Sequence, residues 1–222
     1  MDFSTNTGAS PGSGLLPAVD GDFQTQLTVR TTLRTSVQLA DWAAAQGLTL
    51  TPTVLDRGRT PGRPTLTRRG TGSFEEQRRA ADACAALLAE AGFAVVRTQI
   101  EAAAWNDGVP LTDTEAAALP PHCHFEHRVT LRLAIPYDTK RLAALAERHS
   151  AQVARTARRV LSPGVQERSV VQRVPGAGRT GARARLDGLL DALFSAGFQP
   201  ADVEEGFVLL DDNPPFSWPG RA

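Results

Sequence analysis

The sequence predicts an α+β protein built from two ferredoxin-like βαββαβ repeats, whose antiparallel sheets face a shared cleft or form a barrel-like pair. Three observations predict it. FQTQLTVR, from Phe23, and FEHRVTLR, from Phe125, share the pattern Phe-x-x-x-apolar-Thr-apolar-Arg and begin 102 positions apart (23 to 125); self-similarity of this kind marks a duplicated unit. Two long helical patterns end on the same three residues, Ala91-Gly92-Phe93 and Ala196-Gly197-Phe198. The order strand, helix, two strands, helix, strand then recurs in each half, and in that arrangement two helices cover one sheet face and leave the other free.

Taken in order, residues 1–21 are rich in Gly, Ser, Thr and Pro and are expected to form a flexible tail, because they bury too little apolar surface to order themselves. The first repeat spans 22–106. Its opening strand is followed by a helix carrying Val37, Leu39, Ala40 and Trp42, with Thr35 and Ser36 offered as caps. LTLTPTVL and PTLTRR read as the paired middle strands. The Arg- and Gly-rich DRGRTPGRP between them is read as a hairpin, either closing over an anion with Arg57, Arg59 and Arg63 or a plain surface hairpin, and it lacks the Gly-Lys-Ser/Thr ending of a phosphate loop. Ser73 with Glu76 forms a capping box for the second helix, which runs to Gly92, and VVRTQIEA closes the repeat. A linker rich in proline, 107–121, leads to the second repeat, 122–213. There Asp138 precedes the first helix, AQVARTARRV and ERSVVQRV form the middle strands, Leu186, Leu189, Leu190 and Leu193 mark the long helix, and DVEEGFVLL is the closing strand. Residues 214–222 are an expected extended tail.

Of the 222 residues, 41% are hydrophobic, enough for a packed core. Basic and acidic residues balance at 24 each, which argues against a protein that binds nucleic acid through bulk positive charge. Lys140 is the sole lysine, so the cations are arginines, whose planar forks suit carboxylate and phosphate. No apolar run reaches the roughly 20 residues that span a bilayer and the N-terminus lacks a signal-peptide pattern, so a cytoplasmic protein without a membrane partner, monomeric or homodimeric, is expected. Cys84 and Cys123 are too few and too differently placed for a disulfide framework.

Strand alternation sorts the candidate functional residues by face. In FEHRVTLRL, Glu126, Arg128, Thr130 and Arg132 share one face and Phe125, His127, Val129, Leu131 and Leu133 the other. The polar set is assigned to the free face, since the opposite choice buries two arginines under helices. Arg97, Gln99 and Glu101 join it from the last strand of the first repeat, and Arg155, Arg158, Arg168, Gln172 and Arg173 from the middle strands of the second. In ferredoxin-like order the first and last strands of a repeat are neighbours, which brings Glu101 toward Gln24 or Gln26 and Glu204 or Glu205 toward Glu126 or Arg128. Glu101, Glu126 and Glu204 are therefore the candidate acid/base groups, Arg97, Arg128, Arg155, Arg168 and Arg173 the anion anchors, and Gln26, Thr28 and Thr130 the orienting groups. HCHFEHR adds His122 and His124, which with Glu126 fall at alternate positions and would bind a divalent metal if the strand begins at Pro121. No other cofactor is implied.

FQTQLTV, RTQIEA, WNDGVPLT, CHFEHRVTL, QERSVVQR and EEGFVLLDDN together resemble a largely uncharacterised family of bacteria, plants and fungi, some plant members of which carry misleading ankyrin-repeat labels. The resemblance covers nearly all of the chain after the tail. The family's first strand, Phe-Glu-Thr-His-Leu-Thr-Val, is similar to the His-x-Thr of two-histidine phosphoesterases; here Gln26 replaces the histidine and Thr28 remains. Arg128 likewise stands where the second-half family pattern has a histidine. Neither Gln nor Arg is a general acid or base at neutral pH, so a histidine-dependent phosphoesterase mechanism is not implied for this chain. The vicinal oxygen chelate enzymes also pair His and Glu on strands of a duplicated module, in a different strand order.

Two functions compete at this level. The first is a small-molecule enzyme of specialised metabolism, acting on an anionic or polar substrate between the duplicated sheets by cyclisation, isomerisation or phosphoester hydrolysis. The second is a non-catalytic nucleotide- or RNA-binding module, disfavoured because RNA-binding ferredoxin-like sheets stack bases on exposed aromatics, and here Phe23 and Phe125 fall on the core face.

Overall fold

In the first strand, β1 (Asp20–Arg30), Phe23, Thr25, Leu27 and Val29 are buried and Gln24, Gln26 and Thr28 between them are half-buried. One face of the sheet is thus packed and the other polar from the outset. The computed structural model describes residues 16–53, 63–154 and 159–214. The expected tails, the loop bearing Arg57 and Arg59, and Arg155 and Arg158 lie wholly or mainly outside them.

The first half continues with α1 (Leu33–Ala45), β2 (Thr49–Thr53), β3 (Arg63–Ser73), α2 (Phe74–Glu90) and β4 (Ala94–Ala103). The second consists of β5 (His124–Ala134), α4 (Thr139–Arg148), β6 (Ala151–Val153), β7 (Arg159–Ser162), β8 (Val165–Pro175), α5 (Arg179–Ser195) and β9 (Pro200–Asp211). Between them the segment expected as a linker carries a short helix, α3 (Asp113–Ala117), capped by Thr112 and Glu115. The second-half segment read as one strand, AQVARTARRV, is divided between β6 and β7. The helix starts follow local chemistry. Ser73 and Glu76 form the capping box of α2 and Asp138 caps α4. α1 is capped by Thr32 rather than by Thr35 or Ser36, because the Thr32 and Thr35 hydroxyls each accept the other's backbone N–H.

The α+β ferredoxin-like organisation is as expected in both halves, with local strand orders β2-β3-β1-β4 and β9-β5-β8-β6. Their mutual arrangement is not: instead of two sheets facing each other, β4 pairs antiparallel with β9, and the described residues form one nine-stranded sheet. The last strand of each ferredoxin-like unit is an open edge, and pairing two such edges satisfies their backbone groups within one chain. A core runs under the seam, with Phe23, Phe74 and Ile100 from the first half and Phe125, Val174 and Phe207 from the second. Each half also has its own cluster, around Leu39, Leu66 and Leu88 in one and around Leu142, Leu186 and Leu189 in the other.

The seam has approximate two-fold symmetry. Ala102 lies opposite Phe207, flanked by the pairs Glu101–Val208 and Ala103–Gly206. Counted from Gly92 and Gly197, the glycines that end the long helices, Glu101 and Gly206 are equivalent positions of the two halves.

Candidate functional site

Register places Arg97, Gln99 and Glu101 of β4, Glu126, Arg128 and Thr130 of β5, Arg173 of β8 and Glu204 of β9 on the face opposite the apolar clusters. Their side chains form a continuous charged network across the seam. The Arg128 guanidinium is its hub: Nη1 donates to Glu204 at 2.8 Å, Nη2 donates to Glu126 at 3.1 Å, and Glu101 lies 3.8 Å away. Arg173 donates to Glu126 at 3.1 Å and approaches Asp211 at 3.6 Å. Arg97 grips Asp211 through two bonds of 2.7 Å, the planar fork meeting a carboxylate edge on. These charges are largely withdrawn from solvent; the side chains of Asp211, Glu126 and Glu101 are 3%, 5% and 8% exposed.

The carboxyl groups of Glu101, Glu126, Glu204 and Asp211 share the guanidiniums of Arg97, Arg128 and Arg173, with Arg69 3.9 Å from Glu204 at the rim, and the distances decide which carboxyl is left short. Burial pushes Glu126 up, but the His124 imidazole, Arg173 and Arg128 outweigh it and hold the carboxyl well below its ordinary range. Burial works against the charge on Arg128, yet Glu101, Glu126 and Glu204 together raise its pKa. Glu101 is farther from its guanidinium than the others, and its Oε2 accepts no hydrogen bond among the described residues. Desolvation therefore dominates, aided by Glu126 and Glu204 and opposed by Arg128, and its pKa rises to about 7.

The Glu101 side chain reaches this position because its equivalent in the other half is glycine. A Cβ at Gly206 would fall on the Glu101 carboxyl, inside any allowed contact with its Oε1, Cδ and Cγ. One carboxyl group thus lies across the seam where two side chains of a symmetric pair would collide.

Glu101 and Glu204 also line a groove of about 590 Å³ at the end of the seam where β4 stops and the first half of β9 runs on. Its walls include Gln24 of β1, Arg69 and Thr71 of β3, and Trp105, which is 67% exposed. The size is within the range of sites for small molecules. No cluster of three or more His, Cys, Asp or Glu among the described residues is arranged to hold a metal ion.

The remaining expected site residues fare differently. Thr130 is buried on the network face, Gln26 is half-buried opposite Gln99, and the Thr28 hydroxyl lies 3.4 Å from that of Thr65. Arg168 is on the wrong face for the role expected of it: it pairs in register with Leu131, as Gln172 does with His127, and donates to the Ala154 carbonyl. Gln172 is buried beneath α5, linking His127 to the carbonyls of His149 and Arg185. The error lies in alternation, since Arg173 occupies the network face and 168 and 172 have the other parity. Arg97, Arg128 and Arg173, read as anchors for an external anion, each meet carboxylates of the protein itself. The strand begins at His124, so His122 precedes it and does not share its face pattern; its Nε2 is 3.1 Å from the Leu209 carbonyl. His124 Nδ1 is 2.7 Å from the His122 carbonyl, an acceptor, so that nitrogen carries a proton, and Nε2 faces Glu126 at 3.7 Å.

Asp211, Arg69, Trp105 and Gly206 were missed. The expected closing strand DVEEGFVLL stops at Leu210 and the Pro-rich DDNPPFSWPGRA after it is not expected to continue a strand, whereas β9 includes Asp211. Arg69 could have been found from the register Gln24–Arg69, which repeats as Glu126–Arg173 in the second half.

No family model matches the sequence, nor does any curated protein. Among solved structures, the small subunit of acetolactate synthase from Thermotoga maritima is 13% identical, with 87% of this chain and 98% of that one aligned at a TM-score of 0.31. A candidate glycine cleavage system transcriptional repressor is 9% identical over 86% of this chain and 98% of that one, at a TM-score of 0.27. Neither bears on what this chain binds.

Proposed function

We propose that the groove at the end of the seam binds a small polar molecule and that Glu101 exchanges a proton with it, so that the chain is an acid/base enzyme of the isomerase or cyclase type. The observation that carries this reading is the Glu101 carboxyl: buried, on the wall of the groove, laid over a glycine, and with a pKa of about 7. A group that titrates near the working pH is present in both protonation states and is efficient in either direction of transfer. Taking a proton from one atom of the ligand and returning it to another isomerises the ligand with no co-reactant. Arg128, held by Glu126 and Glu204, stays charged and stabilises the Glu101 carboxylate whenever the proton leaves.

The test is calorimetric. Polar metabolites that raise the melting temperature are titrated into the protein at pH 7 in buffers of different ionisation enthalpy. Binding that takes up or releases a proton in the wild type, and ceases to do so in Glu101→Gln, is the expected result. Ligands whose binding is proton-neutral in the wild type, or equally proton-linked in both proteins, argue against a role for Glu101.

A further inference from the structure

The two halves treat one arginine differently, and the difference names a ligand class for the groove just proposed. Arg69 and Arg173 are equivalent residues. Each stands on the strand paired to the first strand of its half, on the network face, opposite the residue that follows the repeat's leading phenylalanine: Gln24 after Phe23, and Glu126 after Phe125. In the second half the opposite residue is a carboxylate. Arg173 donates to it at 3.1 Å, has Asp211 at 3.6 Å, and its side chain is 10% exposed. In the first half the opposite residue is an uncharged amide. Among the described residues the ion pair of Arg69 is a 3.9 Å approach to Glu204, which Arg128 already holds at 2.8 Å, and the Arg69 side chain is 77% exposed on the wall of the groove.

We infer that the groove takes a small organic carboxylate, whose acid group pairs with Arg69 as the Glu126 carboxylate pairs with Arg173. The inference rests on the groove being a ligand site. A guanidinium in a walled groove forms a bidentate pair with an incoming carboxylate and discriminates against the neutral amide of the same shape. Trp105, exposed and lining the same groove, supplies an apolar surface for the body of the molecule, which favours an aromatic or branched acid. The equivalent place in the second half is already filled by the protein's own carboxylates, so one ligand binds per chain.

The experiment compares benzoate, benzamide and benzylamine, which share a ring and differ in charge, by ligand-observed NMR and by titration against the full chain. Two variants accompany the wild type: Arg69→Gln, which removes the cation, and Gln24→Glu, which gives Arg69 the internal partner that Arg173 has. Benzoate is expected to bind at least tenfold more tightly than benzamide, with one site per chain, and to lose at least tenfold in affinity in both variants. Folding of the variants is checked by circular dichroism and melting temperature; both substitutions are at the groove wall, outside the apolar clusters. Benzoate binding that survives both changes, or benzamide binding equally well, overturns the carboxylate assignment. Benzylamine binding that depends on Glu101 or Trp105 but not on Arg69 overturns it too, while leaving the groove as a ligand site. If none of the three binds at millimolar concentration, the carboxylate assignment falls, and the groove reading stands or falls on the Glu101-dependent proton-linked binding of polar metabolites described above.

Discussion

At the scale of single residues the network is an electrostatic compromise that substitution can expose. Gly206→Ala drives a methyl group into the Glu101 carboxyl and is expected to cost about 1–3 kcal/mol, the usual range for overpacking. The same change in a Glu101→Ala background should cost much less, and urea unfolding of the four proteins of this double-mutant cycle measures the coupling. An additive cycle would mean that the two side chains do not compete for the place assigned to them. Glu101 itself makes stability depend on pH. Its folded pKa of about 7 stands above its ordinary value of 4.5, so its contribution is fully present below pH 4.5 and is lost as pH rises through 7. Relative to Glu101→Gln, the wild type should lose on the order of 3 kcal/mol across that window. A constant difference between the two proteins from pH 4.5 to 8 would show that this carboxyl ionises as it does in water.

Among the elements, α5 is the one whose neighbours matter most. Its N-cap, Gly178, has no side chain with which to accept a first-turn N–H, while its own N–H donates to Asp113 of α3 at 2.8 Å. A Cβ there would fall on the backbone of Leu111 and Thr112, so the linker requires the glycine, and it accepts the N–H groups of both Gly178, through Asp113, and Arg179, through the Pro110 carbonyl at 2.9 Å. Asp113→Ala is expected to lower stability by about 1 kcal/mol, and Gly178→Ser, a better cap in isolation, to lower it as well; a stabilised Gly178→Ser protein would contradict the close packing of the linker. Beneath the same helix His127 is fully buried, with Nδ1 2.8 Å from the Gln172 side-chain oxygen. Burial lowers its pKa below 6.5, opposed by the Gln172 bond. The unfolded chain therefore takes up a proton that the folded one resists, and stability falls as pH drops from 6.5 toward the folded value, the opposite sense to Glu101. A His127→Gln variant removes this acid sensitivity, and an imidazole NMR titration locates the pKa directly; a value at or above 6.5 would refute the assignment.

For the whole molecule the seam is decisive. Arg97 and Asp211 join the halves through two short bonds between side chains 16% and 3% exposed, and the Thr98 N–H donates to Asp212 at 2.7 Å beside them. Arg97→Ala leaves Asp211 buried with, among the described residues, the more distant Arg173 as its cation, and is expected to cost about 3–5 kcal/mol. With a core cluster shared by both halves, unfolding should remain a single transition, followed by fluorescence and circular dichroism together; separate transitions would show the halves to be independent. The sequence by itself determined the duplication, the βαββαβ order, the face on which Glu126, Arg128 and Glu101 stand, and that Glu204 or Glu205 comes near Glu126 or Arg128. Those properties follow from local periodicity and from the pairing order inside one repeat, which each segment carries in its own residues. Only the tertiary structure decided that the halves join edge to edge, that Asp211 belongs to Arg97, that Gly206 admits Glu101, and that Arg69 faces a groove beside Trp105. Each of these depends on how two strands distant in sequence are registered against one another across the seam, and strand edges carry no side-chain pattern that specifies a partner, because backbone hydrogen bonding is the same for every sequence.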